Sequence, residues 1–517
     1  MHQQKLQPVA LQERIQTIDI LRGFALFGIL FINFTVDHGK TEPWAGFTGF
    51  VDQLVYWPVA FFMNDKFLTI YAFLFGLGFS IQMLRAEERN SPFVFVYLRR
   101  LIVLYIIGVI HQILTAGDIL RSYAMVGVLL LILYKLPRKL LPILAILCFL
   151  VPWTRQIVLN QNTGTGISNK IIRLDTTTLE KYTGIYQREN GGIIIVTREG
   201  DKLYGEGPGG KPRLIPTAET EFNVQGVNTR FSFIKDSTEK FNSLVLIQNG
   251  NKIPAKRIEI TKKEAQEKIA QRRVANRPQE SKSYRAFVLK NANQVWQEYK
   301  NWSWSRFFWS FDIKGVLPLF LLGLYFGRRK IFHDISLNRP FLQKVMKWGL
   351  LIGMTSCAIS LGFYSWNYFN DIKRESYSLL TRHLMYAAWD FLGVMGMALG
   401  YVAGMALLLE KADWKKRLSF LGPIGRMGLT NYLLQAAIIS IIIDAYGFGL
   451  NGKAGPFWRL MMALVTFVFI TFISHWWFKH FRIGPAEWLW RSLTYLKFQP
   501  MRLKEADKSE IKERENI

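Results

Sequence analysis

The chain has 517 residues, half of them hydrophobic, and a formal net charge of +27 from 65 Lys and Arg against 38 Asp and Glu. Apolar blocks of about 16–25 residues, long enough to cross ~30 Å of hydrocarbon, predict a polytopic membrane protein rather than a series of soluble domains. The basic residues lie at loop ends without a nucleic-acid-binding motif, so we expect them to face anionic membrane lipid and expect no nucleic-acid partner. The two cysteines, Cys148 and Cys357, lie in apolar blocks and indicate neither a disulfide framework nor a metal site.

In chain order, the apolar blocks predict about ten membrane-spanning α-helices. A further apolar stretch at 51–63 is only about 13 residues long, so we expect it to lie at the interface or to re-enter the membrane. The ten predicted spans lie at approximately 18–36, 66–84, 98–115, 118–134, 139–156, 307–327, 347–367, 384–409, 428–446 and 457–478.

The charges of the loops predict the orientation of the chain. Loops that follow alternate spans are rich in Lys and Arg, and the positive-inside rule places these loops and both termini on the cytoplasmic side of the membrane. The polar block at about 160–305 is then extracytoplasmic. The predicted organisation is an N-terminal membrane half at 1–160, a β-module at 161–265, a charged helical linker at 266–306, and a C-terminal membrane half with a cytoplasmic tail at 307–517.

The middle of the chain, at about 180–260, has the pattern of a small β-structure. "GIIIVTREGDKLYGE" contains two strand-like runs joined by Glu199-Gly200-Asp201, which is typical of a hairpin. Further short strands follow at intervals of about ten residues, so we expect an antiparallel sheet or barrel. The stretch resembles the lipocalin-like module often appended to penicillin-binding-type serine hydrolases.

Polar side chains inside predicted spans are candidate functional groups, because burying them in lipid is costly. Asp19 and Arg22 are three residues apart at the start of the first span and can pair on one helix face. One interpretation is a structural pair at the cytoplasmic interface. The other is a substrate-anchoring pair, and the spacing favours neither.

A second group of polar residues lies in "GVIHQILTAGDILRSYAMVG". His111 ends the third span seven residues before Asp118, so a tight turn would bring the two side chains together. Asp118 could simply cap the next helix. Alternatively it could orient the imidazole of His111 as a general base requires, beside Arg121 and Tyr123.

Other candidates lie in loops and in the ninth span. His38 follows the first span in a loop predicted to face outward. "GPIGRMGLTNYLLQ" places Arg426 at the cytoplasmic mouth and Asn431 in the ninth span, where both could bind a substrate or a phosphate-bearing cofactor. Helix packing around Gly422 and Gly425 is the structural alternative.

Five segments together resemble the bacterial YeiB-like membrane family, domain of unknown function 418: "IDILRGFALFGILFINF", "KFLTIYAFLFGLGFSIQMLR", "GVIHQILTAGDILRSYAMVG", "GPIGRMGLTNYLLQ" and "GPAEWLWRSLTY". That family is similar to the transmembrane acyltransferases, which include the lysosomal heparan glucosaminide acetyltransferase and share an Asp-x-x-Arg-Gly element. The resemblance implies acyl transfer from cytoplasmic acyl-CoA to an extracytoplasmic glycan or lipid hydroxyl or amine by a histidine. His38 precedes Pro43-Trp44 more loosely than the histidine of the heparan enzyme precedes its Pro-Trp, so His111 and Asp118 rank first.

The predicted function is therefore a membrane acyltransferase in which His111, Asp118 and His38 are the candidate catalytic residues. Acyl-CoA is the expected donor, and no metal is expected. Two alternatives from other classes stay open at this point: a transporter or lipid-translocating protein, and a sensor whose β-module captures a ligand. The candidate substrate- or cofactor-binding residues are Asp19, Arg22, Tyr123, Arg426 and Asn431.

Overall fold

The computed structural model divides the chain into two compact units. The first contains Met1–Arg155, Glu280–Gly362 and Met385–Ile517; the second contains Gln156–Gln279 and Phe363–Leu384. The residues that the structure describes are 15–35, 49–91, 93–149, 172, 174–189, 191–207, 211–224, 229–235, 241–248, 251–275, 283–303, 315–369, 387–451 and 453–503.

The first unit is built from α-helices. Their N-terminal group is α1 (Gln16–Thr35), α2 (Phe50–Phe62), α3 (Lys66–Glu88), α4 (Phe93–Thr115), α5 (Leu120–Leu133) and α6 (Leu140–Phe149). The second unit contains α7 (Thr176–Lys181) and α8 (Lys262–Ala275), and α9 (Tyr284–Lys300) belongs again to the first. The remaining helices are α10 (Leu317–Arg328), α11 (Arg339–Phe369), a π-helix (Ala387–Met395), α12 (Gly396–Leu409), α13 (Ala412–Leu418), α14 (Leu421–Arg426), α15 (Gly428–Ile443), α16 (Pro456–His480) and α17 (Pro485–Tyr495).

The helices coincide with the predicted apolar blocks. Within the described residues, six helical segments are long and apolar enough to cross a membrane. Four shorter apolar helices, α5, α6, α10 and α15, match the other four predicted spans. The structure thus confirms a mostly helical chain that carries several apolar helices of membrane-spanning length, while the count of ten spans stays a prediction.

Glycines bring helices of the first unit into direct backbone contact. A Cβ at Gly76 of α3 would overlap the backbone of Phe320, and one at Gly323 of α10 would overlap the carbonyl oxygen of Phe73. A Cβ at Gly425 of α14 would likewise overlap the carbonyl oxygen of Asp19 in α1. Without side chains at these positions the helix axes approach closely, as is common between membrane helices.

The second unit contains a closed antiparallel β-barrel whose strands are neighbours in chain order, β1 to β8. The predicted hairpin is confirmed: Glu199 pairs with Lys202, and Gly200 has a φ of +61°, which glycine adopts readily. The strands are β1 (Gly184–Arg188), β2 (Ile193–Glu199), β3 (Lys202–Glu206), β4 (Arg213–Pro216), β5 (Glu221–Val224), β6 (Thr229–Lys235), β7 (Phe241–Gln248) and β8 (Asn251–Ile258).

Side chains fill the interior of the barrel. Inward-facing strand residues form one cluster that includes the rings of Tyr186, Phe222 and Phe233, and Tyr182, which follows α7, packs into it. The four-residue apolar run of β2 is buried on both faces, since Ile194 and Val196 belong to that cluster whereas Ile193 and Ile195 pack against Ala265 and Ile269 of α8. The barrel therefore has a packed core and an outer helix on β2.

Candidate functional site

The C-terminal end of α4 places the imidazole of His111 beside the carboxylate of Asp118. α4 ends at Thr115, and Ala116, with a φ of +64°, turns the chain back toward its own helix. His111 Nδ1 lies 3.1 Å from Asp118 Oδ1, and the Asp118 Oδ2 accepts a hydrogen bond of 2.8 Å from the backbone N–H of Arg121. The side chains of His111 and Asp118 are only 5% and 0% exposed.

Gly108 makes this approach possible. A Cβ at Gly108 would lie 2.7 Å from Asp118 Oδ2 and 2.8 Å from the Arg121 nitrogen, so any larger residue would push the carboxylate away from α4. Because a carboxylate at Nδ1 holds the proton on that nitrogen, Nε2 keeps its lone pair. The Thr115 hydroxyl lies 3.3 Å from Nε2. The arrangement is that of an oriented general base or nucleophile.

Two residues from distant parts of the chain complete the surroundings of the His111–Asp118 pair. The ring of Tyr432, on α15, lies 5.1 Å from the imidazole, and its hydroxyl accepts a 3.3 Å hydrogen bond from the Ile119 N–H. Glu298, on α9, forms a 3.0 Å ion pair with Arg121. Neither residue was predicted from the sequence, although Tyr432 belongs to the polar motif "GLTNYLLQ" of the ninth predicted span and could have been found there.

The first helix carries the second polar group. Arg22 Nη1 lies 3.4 Å from Asp19 Oδ1, so the predicted i, i+3 pair is present. Asp19 is buried against the Gly425 contact, whereas the side chain of Arg22 remains 32% exposed. Arg22 Nη2 reaches α3 at Gly78, where an added Cβ would lie 3.3 Å from it. The pair is thus structural at Asp19, with a guanidinium still available at Arg22.

Three tyrosines lie between these two groups. Tyr71 interacts electrostatically with Arg22, and its hydroxyl lies 3.0 Å from the Cβ position of Gly428. Its ring stacks at 6.4 Å on that of Tyr123, which also interacts with Tyr432. Tyr432 in turn interacts with Asp118. Tyr71 and Tyr432 are partly exposed, whereas Tyr123 between them is buried.

The other predicted binding residues lie in different surroundings. The buried Tyr123 donates a hydrogen bond of 3.4 Å to the Leu68 carbonyl. The guanidinium of Arg426 stacks 3.9 Å above the ring of Phe478. The fully buried amide of Asn431 donates to Ile424 O and to Ser474 Oγ, both at 3.0 Å, and so joins α14, α15 and α16. His38 lies outside the described residues.

The N-terminus of α15 is closed by a carboxylate of the same chain. Glu487, on α17, accepts hydrogen bonds from the backbone N–H groups of Leu429 at 2.6 Å and Thr430 at 3.1 Å, and from the Thr430 hydroxyl at 2.6 Å. These contacts join the motifs "GPIGRMGLTNYLLQ" and "GPAEWLWRSLTY". Since Glu487 already satisfies this helix end, an anion would have to be held elsewhere.

Comparisons with known proteins match both halves of the helical unit. Residues 14–166 match the model of the family described as "Heparan-alpha-glucosaminide N-acetyltransferase, catalytic", and residues 326–497 match "Protein of unknown function (DUF418)". The predicted family resemblance is confirmed. The first match contains Asp19, Arg22, His111 and Asp118, and the barrel lies between the two matched segments.

Three bacterial relatives were found among curated proteins. Uncharacterized protein YxaH of Bacillus subtilis (strain 168) is 25% identical over 513 residues, which cover 96% of this chain and 98% of that protein. An uncharacterized 39.9 kDa protein in the amylase 3' region of Bacillus acidopullulyticus is 24% identical over 97% of this chain and 100% of its own length. Uncharacterized protein YeiB of Escherichia coli (strain K12) is 43% identical over 74 residues, which are 14% of this chain and 18% of YeiB. No solved structure matches.

Proposed function

We propose that this protein is a membrane acyltransferase that moves an acyl group from acyl-CoA on one side of the membrane to a hydroxyl or amine on the other. The observation that carries the proposal is the series of polar side chains from Arg22 through Tyr71, Tyr123 and Tyr432 to His111. Such a series through an otherwise apolar bundle is costly and indicates a pathway for a polar substrate. The match to an acetyltransferase catalytic domain over residues 14–166 supports the same class.

In this proposal the donor enters at the Arg22 end, which is cytoplasmic. The end of the bundle that contains Arg22 also carries Arg85, Arg89 and the group Arg328 to Lys330, and the positive-inside rule assigns such an end to the cytoplasm of the bacterial inner membrane. Ten spans would place both termini on that side and the barrel outside. The nucleotide phosphates would stay near the guanidinium of Arg22 while the acylated arm extends along the tyrosines.

The chemistry proposed for His111 follows from its tautomer. Nε2 attacks the thioester carbonyl, the carbon–sulfur bond breaks, and CoA leaves as the thiol after it takes up a proton. The acyl group on Nε2 then passes to the acceptor oxygen or nitrogen, whose proton balances the one taken by CoA. Asp118 stabilises the positive charge that the imidazole develops. In a one-step alternative, Nε2 takes the acceptor's proton while that acceptor attacks the thioester directly.

The test is thioester turnover by the purified full-length protein in detergent. Without the natural acceptor, water can accept the acyl group, so the protein should slowly hydrolyse acetyl-CoA. A chromogenic reagent detects the free thiol that this hydrolysis releases. His111→Ala should abolish release, whereas His333→Ala, a loop histidine outside the pathway, should retain it. Equal rates in the wild type and His111→Ala would reject the assignment, and loss in His38→Ala alone would transfer the catalytic role to His38.

The two alternative functions predict other results. A transporter or lipid-translocating protein would accumulate substrate in sealed liposomes without cleaving acetyl-CoA. A sensor would bind a ligand through its β-module, but the interior of the barrel is filled by side chains of its own core. We therefore propose that the outer surface of the barrel presents a glycan or lipid acceptor. Substitutions on that surface should raise the KM for the acceptor without affecting acetyl-CoA hydrolysis.

A further inference from the structure

Arg100, on α4, lies beside the Arg22 end of the pathway and has an unusual set of contacts. Its Nη1 donates a 3.1 Å hydrogen bond to the neutral side-chain oxygen of Gln82. Its guanidinium lies 3.9 Å from the centroid of the Trp490 ring, and its Nε is buried without a hydrogen-bond partner among the described residues. A partly buried guanidinium held by neutral groups keeps a positive charge that no neighbouring carboxylate of the described residues offsets.

A single turn of α3 joins Arg100 to Arg22. The Gln82 amide donates to the carbonyl of Gly78 at 3.1 Å, and Gly78 is the residue against which the Arg22 Nη2 lies. Arg22 and Arg100 are close enough to interact electrostatically. Asp19 offsets the charge of Arg22, whereas the contacts of Arg100 with the described residues include no carboxylate, so a further anion beside Arg100 would reduce the repulsion between the two guanidinium groups.

Neighbouring contacts hold Arg100 in this position. The Trp490 Nε1 donates a 2.9 Å hydrogen bond to the Arg100 carbonyl, and Arg99 Nη1 donates to the Thr494 carbonyl at 3.1 Å. α17 therefore supports the backbone and the flat face of Arg100, while its Nε has no hydrogen-bond partner among the described residues. A guanidinium edge of this kind binds phosphate oxygens in a bidentate geometry.

We propose that Arg100, together with Arg22 and Gln82, forms a binding subsite for a phosphoryl group, and that the phosphates of the acyl-CoA donor occupy it. The assignment to CoA rests on the proposed function. It differs from the sequence-based hypothesis, in which Arg426 was a candidate for binding a phosphate-bearing cofactor. Arg100 and His111 lie eleven positions apart on one helix, about 16 Å at 1.5 Å per residue. An extended pantetheine arm is of comparable length.

The experiment titrates the full chain in detergent with CoA, 3'-dephospho-CoA and pantetheine. Arg100→Gln should weaken CoA binding about tenfold or more, since it removes charge-assisted hydrogen bonds to phosphate, and should leave pantetheine affinity within about twofold. Arg329→Gln is the matched control, because Arg329 is an exposed arginine that directly follows α10 at the same end of the bundle. It should change neither affinity by more than about twofold.

Gln82→Glu keeps the test decisive if Arg100→Gln does not fold. The new carboxylate would pair with Arg100 and compete with phosphate, so CoA binding should again weaken about tenfold while pantetheine binding persists. Unchanged CoA affinity in either variant would overturn the subsite, and so would an equal loss in Arg329→Gln.

Three further outcomes distinguish a CoA phosphate from a lipid phosphate in the subsite, and distinguish failure of the subsite from failure of the proposed acyl transfer. Retention of phosphatidylglycerol that depends on Arg100 in native mass spectrometry, with CoA affinity independent of Arg100, would assign the subsite to lipid and overturn its assignment to the donor. CoA binding that depends on Arg100, without thiol release by the wild type, would support the subsite and contradict the proposed acyl transfer. Thiol release with CoA binding independent of Arg100 would contradict the subsite alone.

Discussion

Asp118→Asn isolates the function of the carboxylate that faces His111. Asp118 accepts from two donors at once, His111 Nδ1 at 3.1 Å and the Arg121 N–H at 2.8 Å. An asparagine has only one acceptor oxygen, and its NH₂ group is a donor. In either orientation the NH₂ group therefore faces one of the two donors, unless His111 changes tautomer so that Nδ1 accepts. A tautomer change would place the proton on Nε2 and remove the base.

The magnitude follows from those contacts. One buried hydrogen-bonding group left unsatisfied costs about 1–3 kcal/mol, so the free energy of unfolding should fall by that amount. Loss of an oriented base typically reduces a rate by roughly 10²- to 10⁴-fold, and we expect thiol release from acetyl-CoA to fall within that range. Thermal unfolding in detergent and the thiol assay measure the two effects separately.

The control for this prediction is Asp201→Asn, an exposed substitution of the same type in the β2–β3 hairpin of the barrel. It should alter neither the unfolding temperature nor the rate. A fully active Asp118→Asn protein would refute the reasoning, because it would show that His111 needs no carboxylate. Loss of stability with an unchanged rate would assign Asp118 a purely structural role.

Three further predictions concern packing, capping and pH. Gly425→Ala should destabilise the protein by about 1–3 kcal/mol because its Cβ would overlap the Asp19 carbonyl, whereas Gly422→Ala, with nothing within 4 Å of its Cβ position, should be tolerated in the same thermal unfolding assay. Glu487→Gln should cost about 1.5–3 kcal/mol, since the carboxylate accepts three hydrogen bonds at the start of α15; an unchanged unfolding temperature would contradict this cap. In the second unit, hydrogen bonds from Thr178 and Thr177 lower the pKa of Asp175 below its ordinary 3.8. The Asp175 cap should therefore stabilise α7 fully above pH 3.8 and less as the pH falls through the lowered pKa of the folded protein. An NMR titration that gives a pKa of 3.8 or higher for Asp175 would contradict this prediction.

Much of the fold could be predicted because its signals are local. Apolar blocks of membrane-spanning length predicted the helices of the first unit, and alternation with turn residues predicted the barrel strands. The hairpin at Gly200 is an example, since glycine there adopts the left-handed conformation that the turn requires. The His111–Asp118 contact could be predicted for the same reason, because only seven residues and one turn separate the two side chains.

The remainder of the candidate site depends on contacts between distant segments. Glu298 approaches Arg121 from a helix that follows the barrel in sequence, and nothing in either segment indicates the pairing. From the sequence, Arg100 is only one of several basic residues at a loop end. Its proximity to Arg22 depends on α3, where Gln82 contacts Arg100 and Gly78 lies beside Arg22. Asn431 illustrates the opposite case: a polar residue in an apolar helix whose amide is used within the bundle.

In the proposed mechanism, one polar pathway connects Arg22 and Arg100 to the imidazole of His111. The most direct measurement is an electron cryomicroscopy structure of the full chain bound to a non-hydrolysable thioether analogue of acetyl-CoA. We expect phosphate density beside Arg22 and Arg100, and an arm that passes Tyr71 and Tyr432 and ends within contact distance of His111. Analogue density confined to another surface, with His111 enclosed by unchanged packing, would contradict the account.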